Sequence, residues 1–133
     1  MADLLHLELV AADRVVWSGD ATFVAARTTD GDIGVLPNHA PVLSVMVDGV
    51  VEVVTESDER WSAAVDRGFL SVANNRVSIL SETVELASDI DVEQARQQLD
   101  EAEAADDGED ESDAKAEAVR WAQARVRAAE TAR

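Results

Sequence analysis

Asp32 and His39 are the side chains in this sequence best placed to do chemistry. They lie in the run Gly31-Asp32-Ile33-Gly34-Val35-Leu36-Pro37-Asn38-His39-Ala40-Pro41-Val42-Leu43. A carboxylate can orient an imidazole, which can then act as a general base. Such a pair needs a nucleophile, yet no Ser stands in a recognisable elbow and the chain has no Cys. There is no phosphate-cradling glycine loop and no zinc spacing, and two histidines are too few for a histidine-based metal cluster. His6 falls inside an alternating strand and reads as a surface or edge residue. What remains for Asp32 and His39 is recognition. Glycines permit backbone angles that other residues avoid. Asn38 after Pro37 is a good turn former, and Pro41 pushes Ala40 out of the helical region. The spacing predicts a stiff, exposed tip carrying Asp32, Asn38 and His39, suited to docking more than to catalysis.

A second concentration of charge lies near the end of the sequence. Arg120, Arg125, Arg127 and Arg133 follow 13 acids between Asp89 and Glu117. Cations near a helix C-terminus are favourable, so pairing within a helical hairpin is the plain reading of this cluster.

The elements that must position these groups have two different periods. Residues 3 to 87 read as short strands: Leu5, Leu7 and Leu9 alternate with His6 and Glu8. Similar runs cover Ala21 to Arg27, Leu43 to Val47, Val50 to Thr55, Trp61 to Val65, Phe69 to Val72, Arg76 to Leu80 and Thr83 to Ala87. Turn signals such as Ser18-Gly19-Asp20, Asp48-Gly49, Arg67-Gly68 and Asn74-Asn75 separate them. Many short strands at regular spacing predict an antiparallel β-sandwich over residues 1–87. Trp17 and Trp61 are expected in its core or rim.

Residues 88–133 predict an antiparallel two-helix hairpin. Asp91 can cap its start. Val92, Ala95, Leu99 and Ala102 form one apolar seam, and Val119, Ala122, Val126 and Ala129 form the other. Trp121 lies beside the second seam and is expected to pack over the rim of the sandwich. The link from Asp106 to Asp113 contains six acids. Burying a methylene contributes roughly 0.8 kcal/mol, so these alanine-rich seams contribute on the order of 5–10 kcal/mol. Ordering about 40 residues costs several times that, offset largely by helix formation. The hairpin is therefore either a permanent appendage or an element that can open.

The formal net charge of −17 argues against nucleic-acid binding, since there is no basic stripe to neutralise phosphate. It favours solubility and predicts a monomer in isolation. The sequence contains no 18-residue apolar run and no basic-then-apolar leader, so we expect a soluble, unsecreted chain that meets a membrane only through partners. No cofactor is expected.

The run from Gly31 to Leu43 resembles the Gly-acid-aliphatic-Gly-aliphatic-x-Pro-x-His-Ala-Pro-Leu motif of the epsilon subunit of bacterial F-type ATP synthases. Asp48-Gly49-Val50-Val51, Gly68-Phe69-Leu70-Ser71-Val72 and Asn75-Arg76-Val77-Ser78-Ile79-Leu80 continue the match in order across residues 3 to 87. The resemblance implies a non-catalytic rotor subunit of the central stalk, a peripheral protein at the cytoplasmic face of the membrane. Its partners would be the gamma subunit, the c-ring and the catalytic alpha/beta head. Asp32, Asn38 and His39 would then contact the c-ring, with Asn38 standing where glycine is commonest. The hairpin would be the regulatory domain, with Arg125 and Arg127 restraining ATP hydrolysis through contact with the head.

Some members of that family bind ATP through an aliphatic-Asp-x-x-Arg-Ala motif. Here Ile90-Asp91-Val92-Glu93-Gln94-Ala95 places Gln94 at the arginine position, and Arg96 points about 200° away around the helix. Weak or absent ATP binding is expected. The alternative is an unrelated small β-sandwich adaptor whose acidic helical tail recruits a basic partner.

Overall fold

Alternation along the first two thirds of the chain becomes nine strands folded into two layers. The computed structural model describes residues 3–104 and 113–131. The strands are β1 (Leu5–Val10), β2 (Val15–Thr28), β3 (Gly31–Val35), β4 (Val42–Met46), β5 (Gly49–Thr55), β6 (Arg60–Val65), β7 (Gly68–Ala73), β8 (Arg76–Ser81) and β9 (Val84–Leu86). A 3-10 turn at Ala87–Asp89 leads to helix α1 (Val92–Ala104) and then α2 (Asp113–Thr131). Among the described residues, no helix is long and apolar enough to cross a membrane.

β2 joins the layers. Its first part pairs with β1 (Leu5 opposite Ala21, Leu9 opposite Trp17), and its second part runs between β3 and β5. The register with β5 shifts between Ala21 and Phe23, a bulge that bends the strand from one layer to the other. One layer therefore runs β2-β1-β8-β7-β4 and the other β3-β2-β5-β6-β9. Thr28 of β2 meets Met46 of β4, closing one side. Leu5, Leu7, Leu9, Val24, Val51, Val53, Leu70 and Ile79 fill the space between. The rings of Trp17 and Trp61 meet at the rim of this core with centroids 5.0 Å apart.

Two strand-level expectations need correction. The sandwich is antiparallel except for β1 and β8, which pair in parallel. Alternation reveals which face a residue occupies but not the direction of the neighbouring strand. Residues 31 to 35, read above as part of a loop, form β3 and pair with β2 from Val24–Val35 to Thr28–Gly31. Its glycines have specific structural tasks. Gly31, at φ +117°, closes the turn through Thr29 and Asp30, and a Cβ on Gly34 would lie 3.1 Å from the Phe23 ring.

The hairpin begins where Asp91 Oδ1 accepts hydrogen bonds from the backbone amides of Glu93 (3.0 Å) and Gln94 (3.1 Å). Val92 and Ala95 are buried, whereas Leu99 and Ala102 are half-buried. On α2, Ala122 and Ala129 are buried as the seam predicts, and Val119 and Val126 are half-buried. Ala124 and Ala128 are buried as well, because α2 also packs on β5 and β6. There they join Ala64, Ala87 and Ile90, with Val50 and Trp121 alongside. Most of the acidic link, from Asp106 to Ser112, lies outside the described residues.

Gly68 of β7 has no room for a side chain against β8: an added Cβ would sit 1.9 Å from the carbonyl oxygen of Leu80. Gly68→Ala should therefore cost about 3 kcal/mol or more in a urea titration, while exposed Ser71→Ala in the same strand stays within about 0.5 kcal/mol. Similar losses for both would show that the backbone yields at this point.

Candidate functional site

β3 holds the two groups of the conspicuous motif at opposite ends. Asp32 stands beside the β2–β3 turn, directly across from Arg27, and its Oδ1 lies 3.2 Å from Arg27 Nε. His39 follows the other end, in the turn Leu36-Pro37-Asn38-His39. Its amide donates to the Leu36 carbonyl at 3.1 Å, and Asn38 has φ 70°. Pro at the second position and a positive φ at the third are the requirements of a type II turn. His39 Nδ1 lies 2.7 Å from the Ala40 carbonyl oxygen, to which it donates, and Nε2 is left to face a partner.

A strand rises about 3.3 Å per residue, so β3 keeps Asp32 and His39 apart. The single tip expected to carry both does not form, and there is no acid–base pair. Asp32 instead lines a groove with Arg27, Glu52 and, from α2, Arg127. The structure thus brings together two residues that the sequence placed in different sites.

The arginines of α2 also separate. Positions 125 and 127 are about 200° apart around a helix, so they occupy different faces. Arg125 is nearly buried, with 11% of its side chain exposed, and points at β9 and α1. Its Nε donates to Glu85 Oε1 at 2.8 Å and its Nη2 to Glu85 Oε2 at 3.1 Å, a bidentate pair. Its Nη1 also donates to Gln98 Oε1. One guanidinium therefore ties both helices to the sandwich. Arg127 is exposed. Arg96 lies within 3.5 Å of Glu130 of α2, away from the Gln94 position. Glu85 and Gln98 had no sequence signal, because the partners lie 40 and 27 residues from Arg125.

The other end of α2 meets the β4–β5 and β6–β7 turns. Arg67 pairs with Glu117 at 3.2 Å. Burial raises the pKa of the Asp48 carboxyl above its usual range, and the nearby Asp66 carboxylate adds to this. Arg120 and Arg67 pull the other way. Asp66 in turn accepts hydrogen bonds from Ser81 Oγ (2.7 Å) and the Thr83 amide (3.0 Å).

The sandwich has one clothed and one bare outer face. α2 covers β5 and β6, where Val50 and Ala64 are opposite each other. The β4-β7-β8 face has no such cover among the described residues. Val45, Phe69 and Leu80 form one row across it in register, and Val10 of β1 and Val15 of β2 extend that row. Phe69 is 54% exposed, and Leu43, two residues along β4 from Val45, is 77% exposed. Contiguous exposed apolar surface of this kind marks an interaction site.

The family model for the ATP synthase delta/epsilon chain, β-sandwich domain, matches residues 4–87. The ATP synthase epsilon chain of Streptomyces avermitilis is 52% identical over 128 residues, covering 96% of this chain and 97% of the relative. That of Rhodococcus opacus is 50% identical over 129 residues, covering 96% and 98%. A chain in the Euglena gracilis mitochondrial ATP synthase OSCP/F1/c-ring structure has the same fold. It has a TM-score of 0.82 at 22% identity, over 98% of this chain and 83% of that one.

Two outcomes follow from the contacts of the hairpin. Glu85→Gln, which keeps the shape but removes the charge, should speed amide exchange in α1 and α2 by about tenfold or more while β5 and β6 stay protected. A loss of roughly 1–2 kcal/mol is expected for a pair that is partly exposed. Unchanged helix exchange would show that the pair does not hold the hairpin. For Asp48, the folded pKa lies above the unfolded one, so ionisation disfavours the fold. Its favourable contribution is complete below the ordinary carboxylate value and is lost as pH rises through the raised folded value. Asp48→Asn should remove that component, so its melting temperature should exceed that of the parent at pH 7 and converge on it near about pH 3.5. A constant offset across pH would rule out the linkage.

Proposed function

The chain belongs to the ATP synthase epsilon-chain family, whose place in that complex is non-catalytic, and from that premise we propose that it couples the c-ring to the gamma subunit within the central rotor. The observation that carries this reading is the asymmetry of the sandwich, with α2 on one face and the apolar row of Val45, Phe69 and Leu80 on the other. The gamma subunit takes the bare face. The c-ring takes the exposed edge of β3, with Asp32 near one end and Asn38 and His39 beyond the other. Residues 1–87 act as the docking domain and residues 88–133 as the regulatory one. Membrane association arises only through these partners, at the cytoplasmic face of the bacterial membrane, as part of a proton-driven machine. Membership in this family sets aside the alternative of an unrelated adaptor recruiting a basic partner.

Regulation in this reading passes through the hairpin. In this reading Arg127, exposed on α2, meets an acidic segment of the alpha/beta head. Arg125 can join that contact only by leaving Glu85 and Gln98. A partner shifts the hairpin only to the extent that it binds the open state more tightly than the closed one.

Affinity capture of the tagged chain from detergent-solubilised native membranes should recover alpha, beta, gamma and c subunits together. Leu43→Ser/Phe69→Ser should abolish recovery of gamma, and retention of gamma would place that interface elsewhere. Binding to isolated c-ring should fall for Asp32→Ala and for His39→Ala. Because the two sites are well separated, their effects should add to within about 0.5 kcal/mol. Strong coupling between them would mean that the ring meets them as one pair.

A further inference from the structure

The turn that carries His39 is fastened from outside by a side chain that the sequence motif does not include. Asn75 lies in the β7–β8 turn, where Asn74 and Asn75 both have positive φ (52° and 62°). Those angles suit the two-residue hairpin between Ala73 and Arg76 and favour asparagine. The backbone of Asn75 is anchored, because its carbonyl accepts the His6 amide of β1 at 2.8 Å. Its side chain reaches across to the docking turn. Asn75 Oδ1 accepts the backbone amide of Asn38 at 2.5 Å, and Asn75 Nδ2 donates to Asn38 Oδ1 at 3.2 Å. Asn38 Nδ2 then donates to Asp3 Oδ2 at 2.9 Å.

We propose that Asn75 is a positioning residue: with Asn38 and Asp3 it forms a clasp that holds the Pro37-Asn38 turn, and with it His39, in docking geometry before a partner arrives. The clasp joins the segment before β1, the turn after β3 and the β7–β8 turn at one end of the sandwich. It satisfies both polar ends of the Asn75 amide on the same partner residue. A glycine at position 38 would support the positive φ and keep its amide bond to Asn75, but it would lose the other two bonds. Asparagine therefore does more here than tolerate the turn. Holding a loop in its bound shape lowers the ordering cost of association. The partner face that suits it offers a polar group to His39 Nε2, the ring nitrogen turned away from the Ala40 carbonyl. This proposal rests on the c-ring reading above.

The test uses the full chain. Asn75→Gly keeps a residue that tolerates positive φ and removes only the side chain, and Asn38→Gly serves the same purpose from the other side. Hydrogen exchange on the isolated chain should be about tenfold or more faster at the Asn38 amide in Asn75→Gly, with β5 and β6 unchanged. Asn75→Asp retains the acceptor and should restore much of that protection. Affinity for purified detergent-solubilised c-ring should fall by about fivefold to tenfold in Asn75→Gly. Unchanged Asn38 exchange overturns the clasp. Faster exchange with full ring affinity overturns its positioning role. If His39→Ala loses ring affinity while Asn75→Gly and Asn38→Gly do not, the clasp fails alone. If His39→Ala also retains affinity, the docking reading fails and the positioning role falls with it.

Discussion

β2 is the constraint on which the other elements depend. Its 14 residues serve both layers, and its bulge near Thr22 sets the angle between them. The inner face at the crossing is narrow because Ala21, Val24 and Ala26 are small and buried, so the layers can approach closely there. From this one strand follow the position of the β2–β3 turn, the place of Asp32 across from Arg27, and the closure of Thr28 onto Met46. A close-packed interior with low compressibility transmits force without deforming. A strand common to both layers makes them move as one body, which suits a part that carries torque.

The attachment of the hairpin follows a different logic. Ala64, Ala124 and Ala128 allow α2 to lie close to β6, yet alanine side chains bury little apolar surface. Such a contact is weak and tolerates sliding. The ion pair between Arg125 and Glu85 provides the register that alanine cannot, because a bidentate fork fits one geometry. Withdrawing these charges from water offsets much of their attraction, so the pair specifies the closed state more than it deepens it. The Asp48 carboxyl lies near Asp66 at the other end of α2, where burial and Asp66 disfavour its ionised form and Arg120 of α2 favours it.

The sequence revealed most of this wherever the signal was local. Period-two alternation located the strands, with Leu5, Leu7 and Leu9 all facing inward, and Asp91 announced the start of α1. The readings failed where one pattern had two physical causes. Gly31 and Gly34 suggested a loop, but they serve a turn and a close approach to Phe23. Asp32 and His39 looked like neighbours because they lie only seven positions apart, yet a strand extends that spacing instead of folding it. Asn75 counted as a turn residue and as the start of a matching strand, since nothing local shows that its side chain reaches residue 38. Arg125 and Arg127 looked equivalent by charge, and helix geometry alone would have separated them.

Net charge and the bare face constrain each other. A chain with a charge of −17 gains solubility from acids nearly everywhere, yet the row from Val45 through Phe69, Leu80 and Val10 to Val15 crosses five strands without one. Two copies could bury that row against each other only by bringing two strongly negative bodies together, and the repulsion opposes it. The charge therefore acts against self-association through the surface that apolar burial favours, which in the proposed reading leaves the row to a partner of different charge. Burial of such a row depends little on salt, whereas repulsion between exposed charges is screened by it. In the proposed docking, affinity and specificity divide in the same way: the apolar row supplies the attraction, and the net negative charge of the chain rejects an occupant of like charge.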